Sequence, residues 1–244
     1  MIKIDKLSKN FGDKKAVNDL SLEIPEGKIF GFLGPNGAGK STTIKMITGI
    51  EKPSSGDIFI NDKNIQREPL AAKSQIAYVA DEPTFYEHMT GIQYLNFISD
   101  IFEIPVQQRA KAITEYSKLF DLTDALNENI SKYSHGMKQK LSLIAAFIHS
   151  PKVIILDEPM VGLDAKSAKI LKDTLKAYAS KGNTVFYSTH VMDMAERFCD
   201  NFAIIDKGKL VFTGTFNELK TMVGKKEATL EDLFLQLTEA QKCE

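Results

Sequence analysis

An α/β fold with a mainly parallel, doubly wound core is the architecture this sequence predicts, and three observations carry it. Short apolar runs alternate with segments whose apolar residues recur at helical spacing, the βα order that builds parallel sheets. A glycine-rich octapeptide, Gly34-Pro-Asn-Gly-Ala-Gly39-Lys40-Ser41, lies between one such run and one such helix. From about residue 90 to 150 the pattern turns helical throughout, which reads as an inserted helical subdomain. With 244 residues, 43% hydrophobic and 26% charged, the chain can form one large domain or two small ones.

Taken in order, Ile2 to Asp5 alternates in and out, Ser21 to Ile24 repeats the pattern before Pro25, and Lys28 to Leu33 is a compact apolar run. Ser41 to Ile50 has helical character, and Lys52-Pro-Ser-Ser-Gly56 stops it before a strand over Asp57 to Ile60. Ile76 to Val79 reads as a buried strand. In the helical stretch, apolar residues fall at helical spacing in Ile92, Leu95, Phe97 and Ile98, then again in Ile113, Tyr116, Leu119 and Phe120. An apolar helix covers Lys138 to Ile148. Strands resume at Val153 to Leu156, Thr184 to Ser188, Phe202 to Ile205 and Leu210 to Phe212, with helices over Ser167 to Ser180 and Met192 to Phe198 between them. A short amphipathic helix over Thr229 to Ala240 puts Leu230, Leu233, Phe234 and Leu237 on one side. Residues 1–224 are expected to form the main domain and 225–244 a helical tail.

The charge balance, 31 basic against 32 acidic side chains, gives a formal net charge of -1 and no global pull toward nucleic acid. No apolar stretch reaches the ~18 to 20 residues that cross a bilayer, and MIKIDKLSKN does not build a signal-peptide core, so a cytoplasmic chain is expected. Cys199 and Cys243 form no CxxC, which leaves neither a disulfide framework nor a zinc site and predicts one partly buried thiol and one tail thiol.

The octapeptide fits GxxxxGK[ST] in the strand-to-helix context that gives the pattern its meaning. Glycines let the backbone curl so that its N–H groups converge on phosphate oxygens at the positive end of the helix. Lys40 would hold the β/γ-phosphates, and the Ser41 hydroxyl would complete a Mg²⁺ shell. At the end of a second apolar strand, Asp157 is placed to contact Mg²⁺, and Glu158 to orient or deprotonate the attacking water. No Asn-Lys-x-Asp guanine-reading motif follows, which favours adenine. Phe11, before Gly12, could stack a purine or be a core phenylalanine.

Tyr133-Ser134-His135-Gly136-Met137, just before an apolar helix and the Asp157-Glu158 strand, resembles the signature of ATP-binding-cassette ATPases, usually written LSGGQ. With its motifs in the family's order, the chain from the first strand to about Gly224 is similar to such a nucleotide-binding subunit. The resemblance implies a RecA-like core, an antiparallel β-subdomain, a helical subdomain carrying the signature, and a head-to-tail dimer enclosing two ATP molecules. It implies ATP binding by the loop running through Gly34, Pro35, Asn36, Gly37, Ala38, Gly39, Lys40 and Ser41 to Thr42. Phe11 matches the adenine-stacking aromatic, Ser134 and Gly136 the positions facing a partner's γ-phosphate, Asp164 the D-loop, and His190 the switch histidine.

Two departures stand out. Where the family usually places a glutamine touching Mg²⁺ and the attacking water, this chain has Ala80-Asp81-Glu82-Pro83, so that Asp81 joins Ser41 and Asp157 as a metal contact that cannot donate as an amide does. His135 occupies the first signature glycine, with an expected loss of backbone freedom, and Met137 the usual glutamine. Lys138-Gln139-Lys140 reads as a solvated helix start. Ser134 and Gly136 are expected at the far end of the helical insertion, too remote for one chain to close its own site.

The resulting expectation is an ATP-hydrolysing subunit driving a separate transmembrane permease. It would be peripheral on the inner membrane face, dimeric with an identical or related chain, and without a nucleic-acid partner. The tail resembles that of exporter subunits, including drug and antimicrobial-peptide systems, while equally suiting a helix packed on its own domain. A groove lined by Phe85, Tyr86, Met89 and Ile92 is the expected permease dock, although ordinary packing is a competing account. The alternative, a soluble cassette ATPase of translation or DNA repair, tends to carry two cassettes or a long heptad insertion, and the single Lys40 to Asp157 interval holds neither. A small-molecule kinase would have no use for the signature or His190.

Overall fold

In the computed structural model, residues 1–224 and 228–240 are described. The chain begins with a hairpin, β1 (Ile2–Phe11) and β2 (Lys14–Ile24), followed by β3 (Ile29–Leu33), α1 (Lys40–Ile47), β4 (Ser55–Ile60) and β5 (Lys63–Asn64). The hairpin strands run well past the expected Ile2 to Asp5 and Ser21 to Ile24, because bulges hide their alternation. Lys6 and Asp19 sit at left-handed φ of 47° and 54°, and the pairing register shifts between Ile4 and Leu7. Each bulge flips the phase: the buried set passes from Ile2 and Ile4 to Leu7 in β1, and from Val17 to Leu20, Leu22 and Ile24 in β2.

Next come α2 (Pro69–Lys73), β6 (Ile76–Val79), α3 (Gly91–Ile101), α4 (Val106–Leu119), a 3-10 turn (Ile130–Lys132) and α5 (His135–Phe147). The chain continues through β7 (Val153–Asp157), α6 (Ala165–Ser180), β8 (Thr184–Thr189), α7 (Met192–Phe198), β9 (Asn201–Asp206), β10 (Lys209–Gly214), α8 (Phe216–Val223) and α9 (Leu230–Ala240). Thr90 starts α3 with a capping box, its hydroxyl accepting from the Gln93 N–H while Gln93 accepts from the Thr90 N–H.

Two sheets result, an antiparallel one in the order β2-β1-β4-β5 and a six-stranded one in the order β10-β9-β3-β8-β7-β6. The second is parallel except where β10 meets β9, which bears out the predicted doubly wound core. Register aligns Leu33 with Thr189 and Asp157 with Ser188. The segments beginning at Gly34, Glu158 and His190 therefore leave the sheet at one carboxyl edge, where open α/β sheets bind ligands.

Alternation along β7 divides the core. Ile154 and Leu156 face α3 to α6, packing with Leu95, Ile144 and Phe147, while Val153 and Ile155 face the antiparallel sheet with Ile2, Ile58 and Ile44 of α1. The tail helix α9 buries Leu230 and Leu233 against Met192, Ala195 and Leu219, with Phe234 and Leu237 beside them, so it packs on its own fold. Cys199 is half-buried, and burial followed by the charge of Asp200 pushes its thiol up to about 12; Cys243 lies outside the described residues. Among the described residues, no helix is long and apolar enough to cross a membrane.

Candidate active site

The loop after β3 begins α1 at Lys40, and its last residue before the helix, Gly39, caps it in a left-handed conformation at φ 105°. A side chain there would strain the backbone and bring a Cβ within 2.6 Å of the Ala16 carbonyl oxygen, so β2 itself requires glycine. Lys40 is buried and its Nζ donates to the Gly34 carbonyl at 2.6 Å and the Pro35 carbonyl at 3.2 Å. Burial pulls its pKa down, opposed by the negative charges of Glu158 and Asp157.

The loop floors a cleft of about 440 Å³. Of the residues read from sequence, Phe11, Pro35, Asn36, Gly37, Gly39, Lys40, Ser41 and Thr42 line it, joined by Lys14, Lys15, Ala16 and Lys207. Gly34 and Ala38 stand behind the wall: Ala38 is buried, and a Cβ on Gly34 would collide with the Ile205 carbonyl. Phe11 is 48% exposed with the Lys9 ammonium 4.9 Å from its ring centre, so it is not a core phenylalanine.

Asp157, buried at the end of β7, has its pKa raised by burial and by the Asp81 and Glu158 charges, against the opposing pull of the Ser188 and Ser41 hydroxyls. Glu158 follows at φ 47°. Its carboxylate accepts from the Thr189 hydroxyl at 2.9 Å and the His190 N–H at 2.8 Å, and meets His190 Nδ1 at 2.6 Å. Asp81 is exposed after β6; partial burial first, then Glu158 and Glu82, raise its pKa, while His135 and His190 pull it down. Among the described residues, no group of three or more His, Cys, Asp or Glu side chains could hold a metal ion by itself. Ser41 and Asp157 nonetheless offer hard oxygen donors, and the mutual repulsion around Asp157 is what a cation would relieve.

The signature segment corrects two expectations. Ser134 caps α5, accepting from the Met137 N–H at 3.3 Å, and His135 is an ordinary first helical residue outside the left-handed region, so it carries no backbone strain. This end of α5 rests against the segment that follows Glu158. A Cβ on Gly162 would collide with the His135 ring, and one on Gly136 would come within 2.7 Å of the Gly162 carbonyl. Lys138-Gln139-Lys140 is no solvated start either, because Lys138 bridges Glu87 at 2.7 Å, buried Gln139 donates to the Pro159 carbonyl at 3.2 Å, and Lys140 reaches Asp164 at 3.5 Å. Asp164 caps α6, accepting from the Ser167 N–H at 2.8 Å, and that bond chiefly holds its carboxyl far below the usual range. Ser134, Gly136 and Asp164 do not line the cleft.

The proposed docking residues divide. Phe85, Met89 and Ile92 are half-buried against the helical core, Phe85 edge-on to Tyr94 at 4.9 Å, as ordinary packing requires. Tyr86 is 63% exposed. A separate groove of about 270 Å³ runs between β6 and α3, walled by Tyr78, Tyr94, Ile98 and His149. Sequence reasoning missed Thr189, whose signal was its place beside His190, and the cleft lysines Lys14, Lys15 and Lys207, which no motif marks.

A family model described as ABC transporter matches residues 17–161. The chain is 32% identical over 238 residues to the ABC-type transporter ATP-binding protein EcsA of Bacillus subtilis, covering 98% of this chain and 96% of that one. It is 34% identical over 238 residues to the linearmycin resistance ATP-binding protein LnrL of the same organism, covering 98% and 75%. A solved structure described as the ATP binding subunit of an ABC transporter matches with a TM-score of 0.94 at 30% identity, covering 98% of this chain and 99% of that one.

Proposed function

The chain belongs to the ABC transporter ATP-binding proteins and is an ATP-hydrolysing subunit of that family, and we propose how its own residues do the work and what it drives. ATP seats in the lysine-lined cleft with its purine against the open face of Phe11 and its phosphates over the loop. Lys40 exchanges two ammonium–carbonyl contacts for bonds to the β/γ-phosphates in which both partners are charged. Ser41 and Asp157, with Asp81 as a further contact, would hold Mg²⁺, which would supply charge neutralisation at the phosphates. Glu158 takes the proton of the attacking water, and His190 holds that carboxylate through its ring and backbone N–H. The observation that carries the reading is this buried Lys40 facing an Asp157-Glu158 pair whose second member is already held by hydrogen bonds.

The rest of the proposal concerns partners. A second subunit, identical or related, presents the start of its α5, with Ser134 and Gly136, to the γ-phosphate, and Asp164 lies at the contact between subunits. The pair drives a separate membrane permease from the inner membrane face, with Tyr86 and the groove beside Tyr94 as the docking side. Export is the favoured direction, supported by the resistance function in the name of LnrL. Transporter relatives matched over nearly the whole chain weigh against a role in translation or DNA repair, and no nucleic-acid partner is proposed. Lys40→Ala should abolish most MgATP binding in a calorimetric titration while the thermal transition stays cooperative; unchanged affinity would remove this loop as the phosphate site.

A further inference from the structure

We propose that Lys207, which belongs to none of the motifs above, is a further binding residue for the nucleotide's phosphate chain, carried on a turn fastened to the phosphate loop. The inference rests on the nucleotide seating in the cleft described above. Lys207 and Gly208 form the two-residue connection between β9 and β10, and both are left-handed, at φ 47° and 78°. That is the type I′ hairpin geometry, whose first position suits Asn, Asp or Gly and strains a long side chain. A lysine here costs stability that asparagine would not, and strained residues persist where the side chain is needed.

The surroundings show where that side chain goes. The Gly208 N–H donates to the Ala38 carbonyl at 2.9 Å, and the Gly208 carbonyl accepts from the Asn18 N–H at 2.8 Å. A Cβ on Gly208 would come within 2.7 Å of the Ala16 carbonyl oxygen. The turn, the loop centre and β2 are thus one junction, which fixes Lys207 relative to the backbone that receives the phosphates. Lys207 lines the cleft together with Lys14, Lys15 and Lys40, and no acidic residue shares that wall. The partner this lining fits is a polyphosphate. Lys40 is buried and bonded within the loop, whereas Lys207 is exposed and keeps its charge hydrated until the anion arrives. Its contribution is therefore screened by salt.

The test is a titration of wild type, Lys207→Met and Lys207→Asn with ADP and with adenosine, at low and high ionic strength, beside thermal melts. Both variants should bind ADP ~3- to 10-fold more weakly at low salt, with the gap narrowing at high salt, and bind adenosine as wild type does. Lys207→Asn should also melt at a higher temperature, because asparagine relieves the turn. ADP affinity within error of wild type in both variants would overturn the proposal, as would equal weakening for adenosine or a lower melting temperature for Lys207→Asn. Lys40→Ala serves as the reference: if it too binds ADP normally, the placement of the nucleotide fails and not Lys207 alone.

Discussion

Replacing Glu158 with glutamine removes a proton acceptor and leaves nearly everything else in place. The native carboxylate is held by the Thr189 hydroxyl, the His190 N–H and His190 Nδ1. Glutamine's carbonyl oxygen can still accept from the His190 N–H, and its amide can face the Thr189 hydroxyl, which turns to accept. What is lost is charge assistance at the imidazole, worth about 1 kcal/mol, or ~2 to 4 °C in melting temperature for a chain of this size. The kinetic loss is far larger. A positioned general base contributes ~10² to 10⁴ in rate, or about 3 to 5 kcal/mol of barrier. ATP affinity should hold, since the phosphate contacts lie on the loop and not on Glu158. The assay is single-turnover hydrolysis of labelled ATP at saturating Mg²⁺, with affinity measured in parallel. A rate within fivefold of wild type with intact binding would refute the assignment and make His190 the candidate for activating water.

Three further outcomes are expected. Gly39→Ala forces a side chain into left-handed backbone and against the Ala16 carbonyl, so nucleotide binding should fall at least tenfold in a titration while Gly182→Ala, where no atom approaches, leaves it unchanged. For Asp157, burial raises the folded pKa above the unfolded one, so its proton is bound more tightly in the folded state and stability declines as pH rises from about 4 through the raised value. Asp157→Asn should therefore raise the melting temperature of the nucleotide-free protein at pH 7 and lose that advantage near pH 4; a lower melting temperature at pH 7 would contradict the sign. Tyr86→Glu should leave basal ATPase activity intact and abolish co-purification with the permease; an undiminished yield of the complex would move the dock elsewhere.

Much of this was legible because signal and function coincide locally. The octapeptide, the β7 strand ending in Asp157-Glu158 and the Ser-Thr-His segment each carry their chemistry in consecutive residues, and all three leave parallel strands at the same edge. The hairpin was only half legible, since two bulges flip its alternation. Helix α8 was overlooked although Thr215 and Glu218 form a capping box and Phe216, Leu219 and Val223 recur at helical spacing, because its eight residues make little more than two turns. The contacts of α5 with residues 159–164 could not be read: Gln139 and Lys140 look like a solvated helix start until the fold brings Pro159 and Asp164 against them. Lys14, Lys15 and Lys207 come from two hairpins far apart in sequence, and only the topology gathers them beside Lys40.

The central claim, that one chain's nucleotide site is completed by the α5 start of another, is tested most directly by the mass of Glu158→Gln in solution. With saturating ATP and Mg²⁺, light scattering should show a doubling from 27.2 kDa. The ADP form should remain single, and Ser134→Arg added to the same chain should undo the doubling by overfilling the contact. A Glu158→Gln protein that stays monomeric with ATP, while wild-type activity per chain is independent of protein concentration, would contradict it.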